Sequence, residues 1–201
     1  MTGPVDERKR TTLRRFAALG AATPFVGIGS GDDSASTSDV PDAIRGYLST
    51  TPGAHFSKLR DDLQLGTGET QHHLRTLVDR DELVSRRDGE YRRFFHADQF
   101  SPFEQVALGY LRRNTPRRLL IALLDSPAAT GSELADRLDV SRATVSTAAG
   151  QLEDAGLLNR TDEYRVARAE TVLVLLVRYA DSFGSEAVDF ASRADEHISV
   201  E

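Results

Sequence analysis

Gln71, His72 and Arg75 share one face of any helix drawn through them, and Thr67 lies one turn earlier. A glutamine amide can bond adenine through two hydrogen bonds. An arginine guanidinium can do the same to guanine, and a threonine hydroxyl near a helix start can hold a phosphate. Glu69, in the same stretch, suits the helix start or could accept from cytosine. A few residues on, Arg86, Arg87, Arg92 and Arg93 flank Asp88-Gly89. Arginines on a hairpin tip suit a backbone clamp or an insertion into a minor groove. The bland alternative is a solvated hairpin whose arginines pair with Asp88 and Glu90. A weaker set of the same kind follows at Arg142, Ser146, Thr147 and Arg160, where the side chains are smaller and less charged.

Catalytic chemistry has little to work with. The chain has no cysteine, which removes disulfides, thiolate metal sites and cysteine nucleophiles. It carries no phosphate-binding loop, no G-x-S-x-G and no H-E-x-x-H. His72 and His73 are adjacent, about 100° apart on a helix, and cannot chelate one ion well; His55 and His96 lie far from other ligands. No enzyme activity, metal or cofactor is expected.

The elements that must position these residues recur. Laid on itself at an offset of 75, the stretch from Pro52 to Ser85 falls on Pro127 to Arg160, with identities including Pro52/Pro127, Leu59/Leu134, Leu63/Leu138, Leu77/Leu152 and Leu83/Leu158. The shared leucines sit where packed helices must bury them. The first copy predicts helices over 41–48, 56–63 and 68–80, then strands 83–87 and 91–96 joined by Asp88-Gly89. Thr70, Leu74 and Leu77 face inward on its third helix. A connecting helix over 101–113 buries Phe103, Val106, Ala107 and Tyr110. The second copy opens at Thr115-Pro116, read as an N-cap and first helical position, and carries Leu119, Leu120, Leu123 and Leu124. Helices 131–138 and 142–154, capped by Ser141, and strands 157–161 and 164–167 complete it; Val145, Ala149 and Leu152 face inward. The fold class is mainly α with small β wings: two tandem winged helix-turn-helix domains, 41–98 and 99–167, plus a C-terminal helical segment, 168–201.

The flanks differ in kind. Residues 1–40 read as an arm: arginines precede an apolar run from Phe16 to Gly29, and a polar linker follows from Gly31 to Asp39. Arg14-Arg15 resembles a twin-arginine leader, although Phe16 follows directly where that motif has a spacer. The run is too short to span a bilayer, and a disordered or weakly helical arm is the expectation, with export or membrane association through Phe16–Gly29 as the alternative. At the other end, Glu170 to Phe183 is apolar around much of a helix and calls for a cover, either its own domain or a homodimer partner.

Net charge is −6, and residues 168–201 hold much of the excess, three arginines against seven carboxylates. Between 52 and 96 the counts balance at eight and eight, so cations can gather on one face. Only Lys9 and Lys58 are lysines among 25 basic residues. Abundant acid and scarce lysine resemble proteins of extreme halophiles; a genome biased to arginine codons gives the same signature. In molar salt the screening length falls to about 3 Å and counterion release contributes little. A reader of nucleic acid would then depend on fit.

Pro52-Gly53-Ala54-His55-Phe56, Gln71-His72-His73-Leu74 and Arg87 through Phe95 resemble the haloarchaeal winged helix-turn-helix transcriptional regulators. Thr115-Pro116-Arg117-Arg118 through Leu157 resembles the second domain of that tandem family, broadly MarR/ArsR-like. The resemblance implies a cytoplasmic regulator that binds double-stranded DNA, mainly through the first copy. Ser146 to Gly150 departs from the family, which often carries a bulkier aromatic–histidine pair there. Arg112, Arg113, Arg117 and Arg118 could add backbone contacts or pair on the surface. The same residues also admit a protein–protein module without DNA binding.

Overall fold

A computed structural model describes residues 11–18, 39–161 and 163–193; most of the apolar run 16–29, the linker 31–38 and residues 194–201 lie outside them. The chain divides into two compact units, residues 1–100 and 101–201.

In the first unit, helix α1 (residues 11–18) precedes α2 (Asp39–Thr50), α3 (Phe56–Asp62) and α4 (Thr67–Asp79), followed by strands β1 (Leu83–Asp88) and β2 (Tyr91–His96). Apolar spacing of three and four brings Ile44 and Leu48, Leu59 and Leu63, and Leu74 and Leu77 into one core with Leu83 and Phe94. Asp42 and Glu82 both pair with Arg45, fastening α2 to the loop before β1. His96 Nε2 donates to the Arg45 carbonyl at 2.9 Å, tying the end of β2 to the same helix. The antiparallel ladder runs from Leu83 opposite His96 to Asp88 opposite Tyr91. The turn is therefore Gly89-Glu90, one residue later than Asp88-Gly89, and Gly89 at φ 61° takes a position that suits a glycine.

Residues 11–18 of the arm form helix α1, the helical of the two states expected for it. Leu13 is buried in the first unit's core, and the Phe16 ring meets Tyr47 edge-on at 5.3 Å. These are the apolar residues nearest the leader-like arginines, and here they serve the packing of α2. Among the described residues, no helix is long and apolar enough to cross a membrane.

In the second unit, α5 (Pro102–Leu111) and α6 (Asn114–Asp125) precede α7 (Gly131–Leu138) and α8 (Arg142–Asp154). Strands β3 (Leu158–Asn159) and β4 (Arg165–Val166) form a wing with only two ladder pairs. The expected start at Thr115-Pro116 is displaced: α6 begins at Asn114 after Arg113, without a side-chain cap. Helix α5 buries Ala107, Leu108 and Leu111, while Phe103, Val106 and Tyr110 stay half-exposed. Leu124 on α6 is likewise half-exposed. Ser141 accepts from the Thr144 N–H at 3.1 Å and caps α8 as expected.

The stretch 170–183 is two helices, α9 (Ala169–Arg178) and α10 (Ala180–Phe183), broken at Tyr179, with α11 (Ser185–Ala191) beyond. Val172, Leu175 and Leu176 are buried within the unit, whereas Val174 is 60% and Val177 38% exposed. The unit thus covers one face of α9 and leaves the other open.

Because Leu13 is buried, Leu13→Ala should cost the first unit about 2–3 kcal/mol. Chemical denaturation monitored within that unit checks this; a change under about 0.5 kcal/mol, typical of surface sites, would show that α1 is not part of its core.

Candidate nucleic-acid interface

Helix α4 is set by its buried side. Thr70 is buried and its hydroxyl donates to the Gly66 carbonyl at 2.8 Å, while Leu74 and Leu77 fill the core. Glu69 accepts from the Gly66 N–H at 3.1 Å and so serves the helix start. The opposite side is left to solvent: Thr67, Gln71, His72 and Arg75 are all exposed, as their spacing implies. Arg75 makes only a long, solvated contact with Asp79 at 3.6 Å. His72 and His73 rings lie 5.1 Å apart. Burial, then the charge of His72, pushes the His73 imidazole below its usual range, with Glu69 opposing.

The wing sorts its arginines by strand alternation. Arg86 stands opposite Arg93 and Arg87 opposite Arg92. Side chains at 91 and 93 point to one face and those at 92 and 94 to the other. On the first face Arg93 is 3% exposed: its Nε donates to Asp88 at 2.5 Å and its Nη1 to the Gly53 carbonyl at 3.0 Å. Of the four arginines expected to contact DNA from this wing, Arg93 is buried and paired with Asp88, the pairing named as the alternative, and Arg86, Arg87 and Arg92 are exposed. Arg93 is buried because β2 continues into contact with residues 53–55, where Gly53 N–H donates to Phe94 O at 2.9 Å and Phe94 N–H to Ala54 O at 3.1 Å. Its diagonal neighbour Asp88 neutralises it. Tyr91 packs here as well, 4.8 Å from the ring of His55, whose Nδ1 accepts from the Lys58 N–H and caps α3.

On the other face, Arg87 and Arg92 are exposed and hydrogen-bond neutral acceptors. Arg87 Nε reaches the Gly89 carbonyl at 3.4 Å, and Arg92 Nε donates to Ser85 Oγ at 2.9 Å. Two like charges directly opposite in a ladder destabilise it. Asp88 relieves the Arg86–Arg93 pair; among the described ion pairs, none relieves Arg87 and Arg92. Between this face and α4 lies a cleft of about 340 Å³ with Phe56, Leu74 and Phe94 as its floor and Gln71, Arg75 and Arg92 at its edge. Phe94 belongs to the first unit's core and Phe56 packs against it, so residues that close the core also line this cleft.

The second copy places its residues differently. Arg142, Ser146 and Thr147 are exposed on α8, with Arg142 Nη2 donating to Ser132 Oγ at 2.7 Å. Arg160 is half-buried and paired with Glu153 at 2.6 Å, a bond that raises its pKa. Arg165 pairs with Glu163 at 2.9 Å. The four arginines around α6 are also engaged: Arg112 with Ser182, Arg113 over the Tyr110 ring, Arg117 with the Leu111 carbonyl and Arg118 with Glu186. Of the two alternatives for these residues, backbone contact or surface pairing, Arg118 with Glu186 shows the second. Among the described residues, no group of three or more histidines and carboxylates could hold a metal ion.

Two measurements check these placements. Arg93→Met leaves Asp88 in a largely buried site and should destabilise the first unit by about 3 kcal/mol, against under about 0.5 for Arg86→Ala. Equal small effects on thermal unfolding would make Arg93 a surface residue. For His73, the folded state favours the neutral ring, so stability is full above the unfolded value near 6.5 and is lost as pH falls below it. Unfolding titrations from pH 8 to pH 5 should show that loss, and His73→Gln should flatten it.

Residues 38–108 match a family model described as an N-terminal HTH domain, and residues 113–169 match the model of the MarR family. No curated protein and no solved structure matches the chain. Each unit contains three helices followed by a hairpin, in that order, with a family match over that part, so the chain carries two winged helix-turn-helix domains in tandem, the second of them similar to the MarR family.

Proposed function

We propose that this chain is a non-catalytic transcriptional regulator that reads duplex DNA mainly through its first winged helix. The observation that carries the reading is the Arg87–Arg92 pair: two exposed cations set opposite one another and in none of the described ion pairs, although Glu90 borders the same hollow, beside a helix whose exposed face is Thr67, Gln71, His72 and Arg75. A protein surface keeps such a pair at a cost unless an anion relieves it. A phosphodiester strand is such an anion, and the exposed helix face then meets base edges in the adjacent major groove. Gln71 and Arg75 supply base hydrogen bonds in this reading, and Arg86, Arg87 and Arg92 hold the backbone.

The regulator acts as a homodimer. The open stripe of α9, Val174 and Val177, is apolar and spaced three residues apart, suited to the same helix of a second copy. Chromosomal DNA as ligand implies a cytoplasmic location, and the lysine-poor, acid-rich composition fits a haloarchaeal source.

The tests separate these parts. Arg87→Ala should weaken binding to a duplex by about tenfold while leaving thermal stability equal or higher, because it removes a repulsion. Lost stability with unchanged binding would sink the reading of this pair. Val174→Glu with Val177→Glu should turn a dimer into a monomer by sedimentation; a wild-type chain that sediments as a monomer would contradict the dimer directly.

A further inference from the structure

Charge is distributed unevenly along the first unit. Between residues 39 and 100 nine basic residues are outnumbered by eleven acidic ones, so the winged helix itself is net negative. Between 1 and 18 the balance reverses, five basic against two acidic. A duplex carries one negative charge for about every 1.7 Å of its axis, and affinity rises with each phosphate that a cation neutralises. The cations in excess lie ahead of the winged helix, and two of them, Arg14 and Arg15, stand on helix α1.

The apolar side of α1 fixes its place. Leu13 and Phe16, three residues apart, share one face; Leu13 is buried in the core and Phe16 packs against it. The Phe16 ring meets Tyr47 edge-on, and the Tyr47 hydroxyl donates to Asp62 Oδ2 at 2.7 Å. Asp62 ends α3, and the turn after it leads into Thr67 at the start of α4. Successive helix residues are about 100° apart, so Arg14 and Arg15 point away from the docked face, and both are exposed. The Arg15 guanidinium lies 6.0 Å from the centre of the Phe16 ring. Neither arginine is in any of the described ion pairs. Asp42 of α2 and Asp61 and Asp62 of α3 are engaged by Arg45, Arg60 and Lys58; Asp39, the other acid of those helices, is in none of the described pairs.

Exposed arginines on an amphipathic helix suit a lipid surface or a nucleic acid. A helix that lies on a bilayer inserts its apolar face. In α1 that face is occupied by the first unit's own core, so a membrane would meet the cations alone. A phosphate backbone asks only for cations held at fixed positions. We propose that Arg14 and Arg15 contact the phosphate backbone of duplex DNA, so that α1 extends the footprint of the first winged helix. This rests on the DNA-binding reading above and goes beyond it, because α1 lies outside the winged helix and adds a contact to which neither α4 nor the wing contributes.

The test uses the full chain and a mixed-sequence duplex, over the salt range in which thermal unfolding shows the chain folded. Arg14→Gln with Arg15→Gln should reduce the slope of log affinity against log salt by about 2, at unchanged thermal stability. Arg14→Lys with Arg15→Lys keeps both charges and should keep the slope. An unchanged slope in the glutamine variant, with Arg87→Ala still weakening binding, would overturn the role of α1 and leave the winged-helix reading intact. An equal loss in the lysine variant would make the effect one of packing and would overturn the phosphate contact as well. Co-sedimentation of the chain with phosphatidylglycerol vesicles, abolished by the glutamine pair while the slope stays, would assign these arginines to a membrane instead. Failure of the unsubstituted chain to bind any duplex would overturn both readings.

Discussion

The geometry of the first copy depends on the Arg93 guanidinium. It bridges Asp88, at the tip end of β1, and the carbonyl of Gly53, at the turn that leads into α3. A two-stranded hairpin is marginal by itself in water. This one is tied to residues 53–55 by backbone hydrogen bonds and by a buried, nearly solvent-free ion pair. Removing either partner would strand a charge in a site that water barely reaches. The pair therefore fixes the direction of the wing, and with it the face on which Arg87 and Arg92 project. One arginine of the four is spent on holding the other three in place.

That arrangement explains why two copies of one fold end up with different surfaces. The buried leucines at 59, 63, 77 and 83 recur at 134, 138, 152 and 158, because three small helices close a core in only a few ways. The wings carry no such constraint. The first has six ladder pairs and a buried anchor; the second has two, with its arginines turned onto neighbouring glutamates. The short second wing has its Arg160 side chain over Gly150 and paired with Glu153 on its own helix.

The fold was largely legible in the sequence. Helical periodicity and the cap at Ser141 located α3, α4, α7 and α8 within a residue or so, and the inward faces of both third helices follow from their spacing. The wing arginines were legible as a patch but not as individuals. Whether Arg92 or Arg93 turns inward depends on which ladder face meets the 53–55 segment, a contact across 40 residues that no local pattern records. Residue types at alternating positions offered one signal: Asp88 and Arg93 sit diagonally on one face of a hairpin. Helix α1 was hidden for another reason, since arginines before an apolar run describe a leader and a docked amphipathic helix equally well. The break at Tyr179 likewise has no proline or glycine to announce it.

In the proposed function one copy reads DNA and the other supports it. Hydrogen exchange of the full chain with and without duplex DNA tests this most directly. It reports local protection along the whole backbone without altering any residue. Slowed exchange in 67–79 and 83–96, with 142–154 and 158–166 unchanged, is the result this structure predicts. Protection confined to the second copy, or equal in both, would contradict it.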